Sequence, residues 1–382
     1  MSIAKSVRSR IPLMSGANHA CRSDRMSKLL VSALAWLSLM TSAQPSAYAQ
    51  EKPLEIGVLA LGPRKLPVWR CGPGYELASQ ESKNETMPQY VVGLKDQLEN
   101  LKYVEARKEN AARPGRRFVL DVKMGSLPDL KRYAREFANR PVDIIVGIAT
   151  AAVQVAKEET KDRAIPILMT GVSDPTKATG DGFVDSLARP GGLITGVSHQ
   201  QVQGSGKRVE LLKEMLPQLQ RLITLRRPGY VPSEKSLVET RLAAERLKIE
   251  ILDWTATSRE SLQTILKEVR RDLADAMILM PDSLIFSNLD LVIETSLERN
   301  VPLMALQDYM ALQGALAAYG PSAYQAGGLV ATYVDKIVKG TPPGEIPVYP
   351  ADPTFVVNLK AAECHGISLP IEILRQANRV IQ

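Results

Sequence analysis

The sequence predicts an α/β protein of two Rossmann-like lobes, each built on a parallel sheet, joined by three crossover hinge segments. Short apolar runs alternate with helical periodicity through the body of the chain, the pattern of repeated βα units. That alternation breaks at Arg189-Pro190-Gly191-Gly192-Leu193-Ile194-Thr195-Gly196-Val197-Ser198, where a Pro-Gly-Gly turn runs into a β-branched segment with no room for a helix. It breaks again at residues 314–321 and 345–358, two further extended pieces. A chain that passes between sheets through extended crossovers builds two lobes, and a cleft between lobes is where small ligands bind.

The first 49 residues read as an export leader. Basic residues Arg22, Arg25 and Lys28 precede an apolar run over 29–40, and Ala47-Tyr48-Ala49 places small residues where signal peptidase reads them. Cleavage is expected after Ala49, and Met26 serves as well as Met1 for the start. The apolar run is shorter than the roughly 20 residues a spanning helix needs. The predicted locale is therefore the periplasm, for a protein free of the membrane. Net charge is +7, but residues 50–382 carry 42 basic and 40 acidic side chains. The basic excess belongs mostly to the leader, which removes the electrostatic case for nucleic acid. Beyond Cys21 of the leader only Cys71 and Cys364 remain; one disulfide or two unrelated thiols are both compatible with that count.

Strands are expected at 56–61, 118–122, 143–149 and 165–169 in the first lobe. Between them helical periods fall on Tyr90, Leu94, Leu98, Leu101 and on Leu130, Tyr133, Ala134, Phe137. Continuous apolar strands such as Ile144-Ile145-Val146 imply a parallel sheet covered on both faces. The second lobe repeats the pattern, with strands at 222–225, 249–252, 276–280 and 301–306, and Ser258 as the N-cap of one of its helices. This makes about four parallel strands per sheet. A helix over Tyr324, Val330, Tyr333 and Ile337 stops at Gly340-Thr341-Pro342-Pro343, and a last helical segment covers 371–380. The expected division is 1–49 leader, 50–198 plus 316–347 as lobe 1, and 199–315 plus 348–382 as lobe 2. A single eight-stranded βα barrel also fits the strand count, but it connects every strand through a helix and two connections here lack one.

Ser186-Leu187-Ala188-Arg189-Pro190-Gly191-Gly192, followed by Ile194-Thr195-Gly196-Val197-Ser198 and by Gly206-Lys207-Arg208-Val209-Glu210-Leu211-Leu212-Lys213-Glu214-Met215-Leu216-Pro217, resembles the ABC-transporter substrate-binding proteins of the tryptophan/tyrosine type. Ser173-Asp174-Pro175, Ala318-Tyr319-Gly320-Pro321 and Val357-Asn358-Leu359-Lys360-Ala361-Ala362 extend the resemblance, in order, over roughly residues 54–381. It implies a periplasmic-binding-protein type I fold, a monomer, and delivery of a small molecule to an ABC permease in the inner membrane. The ligand it suggests is an amino acid or an aromatic or apolar carboxylate. A ligand-sensing protein of a signalling system, or less well a secreted barrel enzyme, is the alternative.

Open α/β sheets bind ligands beyond the carboxyl ends of their strands, over helix N-termini. That rule selects Thr150 and Ala151, whose hydroxyl and free N–H groups suit a carboxylate, and Ser173 and Asp174, the latter placed to pair with an ammonium. From the second lobe it selects Asp282 and Asp308, with Tyr319 at a crossover. The same residue types serve as caps and turns. Departing from the family, the first βα connection carries a long insertion at 62–89, where Trp69 and Tyr75 are placed either to cover an aromatic or apolar ligand or to pack the insertion onto its lobe. A second insertion, 108–117, reads as a solvated loop face.

Enzyme signatures are poor, and no cofactor or metal is expected. Gly204-Ser205-Gly206-Lys207-Arg208 departs from a phosphate loop at both ends, with Gln201 where the first Gly belongs and Arg208 where Ser or Thr must bind the metal. It reads as a helix start. His199 and His365 are too few for a metal cluster, and no Gly-x-Ser-x-Gly elbow occurs.

Overall fold

The computed structural model describes residues 52–61, 70, 71, 75, 76, 88–110, 113–178 and 180–382. The leader, Trp69, and all of the 62–87 segment except two strand pairs lie outside the described residues. In chain order the first lobe holds β1 (Leu54–Leu61), the two-residue strands β2 (Arg70–Cys71) and β3 (Tyr75–Glu76), α1 (Gln89–Asn100), β4 (Tyr103–Glu105) and β5 (Arg116–Gly125). Then follow α2 (Leu127–Ala138), β6 (Ile144–Ile148), α3 (Thr150–Glu159), β7 (Ile167–Val172) and β8 (Ile194–Ser198). The second lobe continues with α4 (Ser205–Met215), β9 (Arg221–Arg226), α5 (Val231–Arg246), β10 (Glu250–Thr255), α6 (Arg259–Leu266) and β11 (Ala276–Leu279). It goes on through α7 (Ser283–Ser287), α8 (Leu289–Glu298), β12 (Leu303–Ala305), α9 (Asp308–Leu312) and β13 (Ala317–Pro321). The chain then returns for α10 (Ala323–Val338) and β14 (Tyr349–Pro350), and crosses again for β15 (Pro353–Asn358), α11 (Leu359–Cys364), α12 (Ile371–Gln376) and β16 (Arg379–Ile381).

Two seven-stranded sheets result, ordered β14-β8-β7-β6-β1-β5-β4 and β10-β9-β11-β12-β13-β15-β16. Within these two sheets all pairs are parallel except β13 with β15, and β2 and β3 form a separate antiparallel pair. Alternate side chains of one strand feed opposite layers. Ile144 and Val146 join the core under α1 and α10, whereas Ile145 joins the core under α2 and α3. The second sheet divides likewise: Leu222 and Ile278 pack with α4 and α5, and Ile223 and Met277 with α6 and α8. This two-sided burial explains why the strands read as continuous apolar runs.

The sheets hold seven strands each rather than four because short or polar strands escape a periodicity search. Tyr103–Glu105 is one such edge, and Arg379–Ile381 another. The expected helix over 371–380 ends at Gln376; Asn378 accepts the Phe355 N–H and donates its own N–H to the Phe355 carbonyl, and Val380 then pairs with Val357. Crossovers also fall later than expected. Ala317–Pro321, assigned to lobe 1 by the sequence, pairs with β12 and β15 in the second sheet. Tyr349–Pro350, assigned to lobe 2, pairs with Val197–Ser198 in the first. Separate sheets exclude the closed barrel.

Helix α10 belongs to the first lobe through backbone-to-backbone packing on α1. A Cβ at Gly93 would collide with the Tyr324 carbonyl, and one at Gly327 with the Tyr90 carbonyl. Residues 108–110 form a 3-10 turn ahead of β5. Cys364 is disulfide-bonded; the other two cysteines lie outside the residues whose side chains are described. Among the described residues no helix is long and apolar enough to cross a membrane.

Candidate ligand-binding cleft

The carboxyl ends of β6 and β7 form the first rim. Ala149, between β6 and α3, adopts φ +75°, a conformation an L-residue holds only when its surroundings impose it. Its N–H is fixed on the Thr170 carbonyl at 2.8 Å, and its own carbonyl takes the N–H groups of Ala152 and Val153. The kink aims the first N–H groups of α3 out of the sheet, and no side chain caps them. Gly171, at φ +71°, sits opposite; a Cβ there would lie 3.2 Å from the Ala149 nitrogen.

The loop after β7 folds back over this rim. Asp174 accepts from the Thr176 N–H at 3.1 Å and hydroxyl at 2.7 Å through one carboxylate oxygen, an Asx turn. Its carbonyl receives the Asp181 N–H at 2.8 Å. Asp181 is thereby set on α3, where it accepts a hydrogen bond from the Thr150 hydroxyl at 3.1 Å. Burial, with Asp174 nearby, pushes the Asp181 carboxyl up to about 6. The Ser173 hydroxyl is buried and has no hydrogen-bond partner.

The second rim comes from the β9–α5 loop. Gly229, at φ +75°, turns the chain so that Tyr230 precedes α5. The Tyr230 ring lies under the Arg227 guanidinium at 4.9 Å, and its hydroxyl faces Asp181 and Thr150. Burial pushes that phenol well up, so it stays protonated as a donor. One turn into α5, Lys235 reaches Asp174 at 3.8 Å. Two acids on the first lobe thus meet a phenol and an ammonium from the second.

His199, on the first crossover, makes the floor. Its Nδ1 faces the Gln307 side-chain nitrogen at 3.0 Å, and its Nε2 faces the Thr170 hydroxyl at 3.4 Å. Complete burial pushes it down to about 3, so the ring is neutral. With Nδ1 accepting from Gln307, the proton sits on Nε2 and is donated to Thr170. The Tyr90 ring packs against it at 5.7 Å between centroids, and the Tyr90 hydroxyl is buried near Gln307. The Ser198 hydroxyl is buried and has no protein partner among the described residues.

Of the residues selected from the sequence, Thr150, Ala151, Ser173 and Asp174 stand together on the first rim. Asp282 is spent on scaffold: it caps α7 through Leu284 at 2.8 Å and holds Arg227 and Ser233 at 2.8 and 3.2 Å. Asp308 accepts from the N–H groups of Tyr309 and Ala323, tying α9 to the start of α10. Tyr319 offers its carbonyl to Arg208 behind the cleft. Trp69 lies outside the described residues. Sequence reading passed over Asp181, Tyr230, Lys235, Tyr90 and His199. The strand-end rule that selected Thr150 also points to the loop after Arg226, hence to Tyr230. Asp181, set between Gly180 and Gly182 in a long loop, carries no such signal.

Residues 84–381 match the family described as ABC transporter substrate binding protein. A tyrosine-binding protein of Clostridioides difficile (strain R20291) is 26% identical over 309 residues, covering 77% of this chain and 87% of that protein. Among solved structures, a conserved domain protein of Vibrio cholerae O1 biovar El Tor is 26% identical, with a TM-score of 0.66, over 86% of this chain and 100% of that one. The ABC domain from Streptococcus pneumonia in complex with L-Trp is 23% identical, with a TM-score of 0.65 and the same two coverages.

Proposed function

The chain belongs to the ABC transporter substrate-binding protein family, whose pattern spans residues 84–381, and on that premise we propose that it captures an aromatic or apolar α-amino acid between its lobes for an ABC permease. Members of this family bind small molecules and act outside the cytoplasm. The observation that carries the choice of ligand is the first rim, where uncapped α3 N–H groups at Thr150 and Ala151 stand beside the carboxylates of Asp174 and Asp181. A zwitterion matches that pair of charges: its carboxylate takes the helix N-terminus and its ammonium takes the acids.

Tyr230 and Lys235 meet the same rim from the second lobe, so a ligand held there contacts both lobes and favours the closed form. Tyrosine and tryptophan, ligands of the Clostridioides difficile and Streptococcus proteins, are the first candidates. The finer reading adds cleavage after Ala49, release into the periplasm as a monomer, and docking on an inner-membrane permease. The family type speaks for binding without turnover.

The test is a calorimetric and thermal-shift comparison of L-tyrosine and L-tryptophan with tyramine, which lacks the carboxylate, and 3-(4-hydroxyphenyl)propionate, which lacks the ammonium. Either amino acid at 100 times its dissociation constant stabilises the fold by about 2.7 kcal/mol, and both truncated analogues bind far more weakly. Tyramine binding as tightly as tyrosine would remove the role given to α3, and an amino-acid-blind protein would remove the ligand class. N-terminal sequencing of the exported protein reads the cleavage point, with Gln50 expected first.

A further inference from the structure

The first turn of α4 contains the largest fully buried side chain of the described residues, Arg208, at 1% exposure. Among the described residues no carboxylate pairs with it. Its Nη2 donates to the Gln201 carbonyl at 2.6 Å and to the Ser205 hydroxyl at 2.9 Å, and its Nη1 donates to the Tyr319 carbonyl at 3.2 Å. Nε has no partner. Burying a cation without an anion is expensive, and burial pushes this guanidinium down to about 9. Apolar packing would hold α4 at less cost, so the position of those two carbonyls explains the arginine.

Gln201 lies on the first crossover. Tyr319 lies on β13, three residues ahead of Ser322 on the second crossover, and pairs with Phe355, which follows the third. One planar fork therefore grips the first crossover and the strand pair from which the other two depart. We propose that Arg208 is a positioning residue, a staple across the three crossovers that fixes the angle between the lobes. A lysine cannot reproduce it, because a single ammonium does not span two carbonyls in a rigid fork. Gly204 belongs to the same device: a Cβ there would lie 2.9 Å from Nη1 and 3.5 Å from the Tyr319 ring.

This inference rests on the two-lobe reading but not on any particular ligand, and its test needs none. Spin labels at Lys131→Cys on α2 and Lys267→Cys beyond α6, both exposed, report the interlobe distance by double electron–electron resonance. The parent protein gives one narrow peak. Arg208→Lys loses that single peak for a broad distribution. Gly204→Ala does the same while costing less stability, because the displaced atom is the far end of a long side chain rather than backbone and Gly204 has an ordinary φ of −78°. Both variants keep a cooperative melt, and their L-tyrosine affinity falls with the fraction of closure-competent molecules. Distributions that superimpose on the parent in both folded variants overturn the proposal, leaving Arg208 an anchor for α4 alone. A parent that binds no amino acid refutes the ligand reading and leaves the distance result standing.

Discussion

Replacing Asp181 with asparagine separates charge from shape at the position proposed for the ligand ammonium. In the free protein the Asp181 carboxyl is raised to about 6, first by burial and then by Asp174, against hydrogen bonds from Thr150 and Tyr230. An ammonium docked on Asp181 favours the ionised form, so below the raised value each captured ligand must expel a proton. Affinity is then flat above neutrality and falls about tenfold per pH unit below 6, so a dissociation constant near pH 5 is about ten times that near pH 7.5. The groups facing Asp181 are Asp174 from its own loop, Thr150 from α3 and Tyr230 from the second lobe. Asp181→Asn loses a charge-assisted hydrogen bond, about 1.5–3 kcal/mol or roughly 10- to 100-fold in affinity, and its profile is flat. Isothermal titration calorimetry with L-tyrosine across this range, in buffers of different ionisation enthalpy, reads both slope and proton release. A flat parent profile, or an unchanged slope in Asp181→Asn, refutes the reasoning.

Thr150→Ala removes the hydroxyl that orients Asp181 and weakens L-tyrosine binding about tenfold, roughly 1.4 kcal/mol, whereas Thr150→Ser restores it in the same calorimetric assay. His199 and His365 are pushed by burial to about 3 and about 4, so the unfolded chain binds their protons first and stability falls as pH drops below about 6.5, by about 1.4 kcal/mol per unit for each histidine. Urea titrations near pH 7 and pH 5 show this loss, and His199→Gln reduces it; equal midpoints at the two pH values would contradict the neutral buried rings. Gly93→Ala drives a methyl group into the Tyr324 carbonyl and lowers stability by about 1–3 kcal/mol, read as a lower thermal midpoint with the fold retained.

The architecture was legible because a parallel strand buried on both faces has no alternative to a continuous apolar run, and Ile144-Ile145-Val146 announces one. Turns announce themselves too, since Pro190-Gly191-Gly192 leaves no room for a helix. Tyr103–Glu105 was invisible because three residues are too few to show a period, and Tyr349–Pro350, inside the extended piece read at 345–358, could not be given its sheet because its pairing with β8 is decided by where distant chain returns. The rim was half legible for a related reason. Thr150 and Asp174 sit where a strand ends, and strand ends can be read. Asp181 reaches Thr150 only because its loop doubles back onto the Asp174 carbonyl, and Asp282, which like Asp174 follows a strand end, is drawn inward to hold Arg227 and Ser233 instead. Chemistry at a strand end is visible in one dimension; whether a carboxylate faces solvent or scaffold is not.

The seating of α10 on α1 bears on how the protein is made. The first lobe borrows this helix and strand β14 from chain that emerges only after almost the whole second lobe has been synthesised. Until then the apolar surface of α1 and the edge of β8 have nothing to close on, and a nascent chain holding only residues 52–198 has one of its two covering layers half built, with α1 but not α10. The N-terminal lobe therefore cannot mature ahead of its successor, and the order of translation keeps the polypeptide loose for most of its synthesis. On the proposed export route, topology itself postpones folding until the last stretch of the message, from Ala323 onward, supplies what both lobes need.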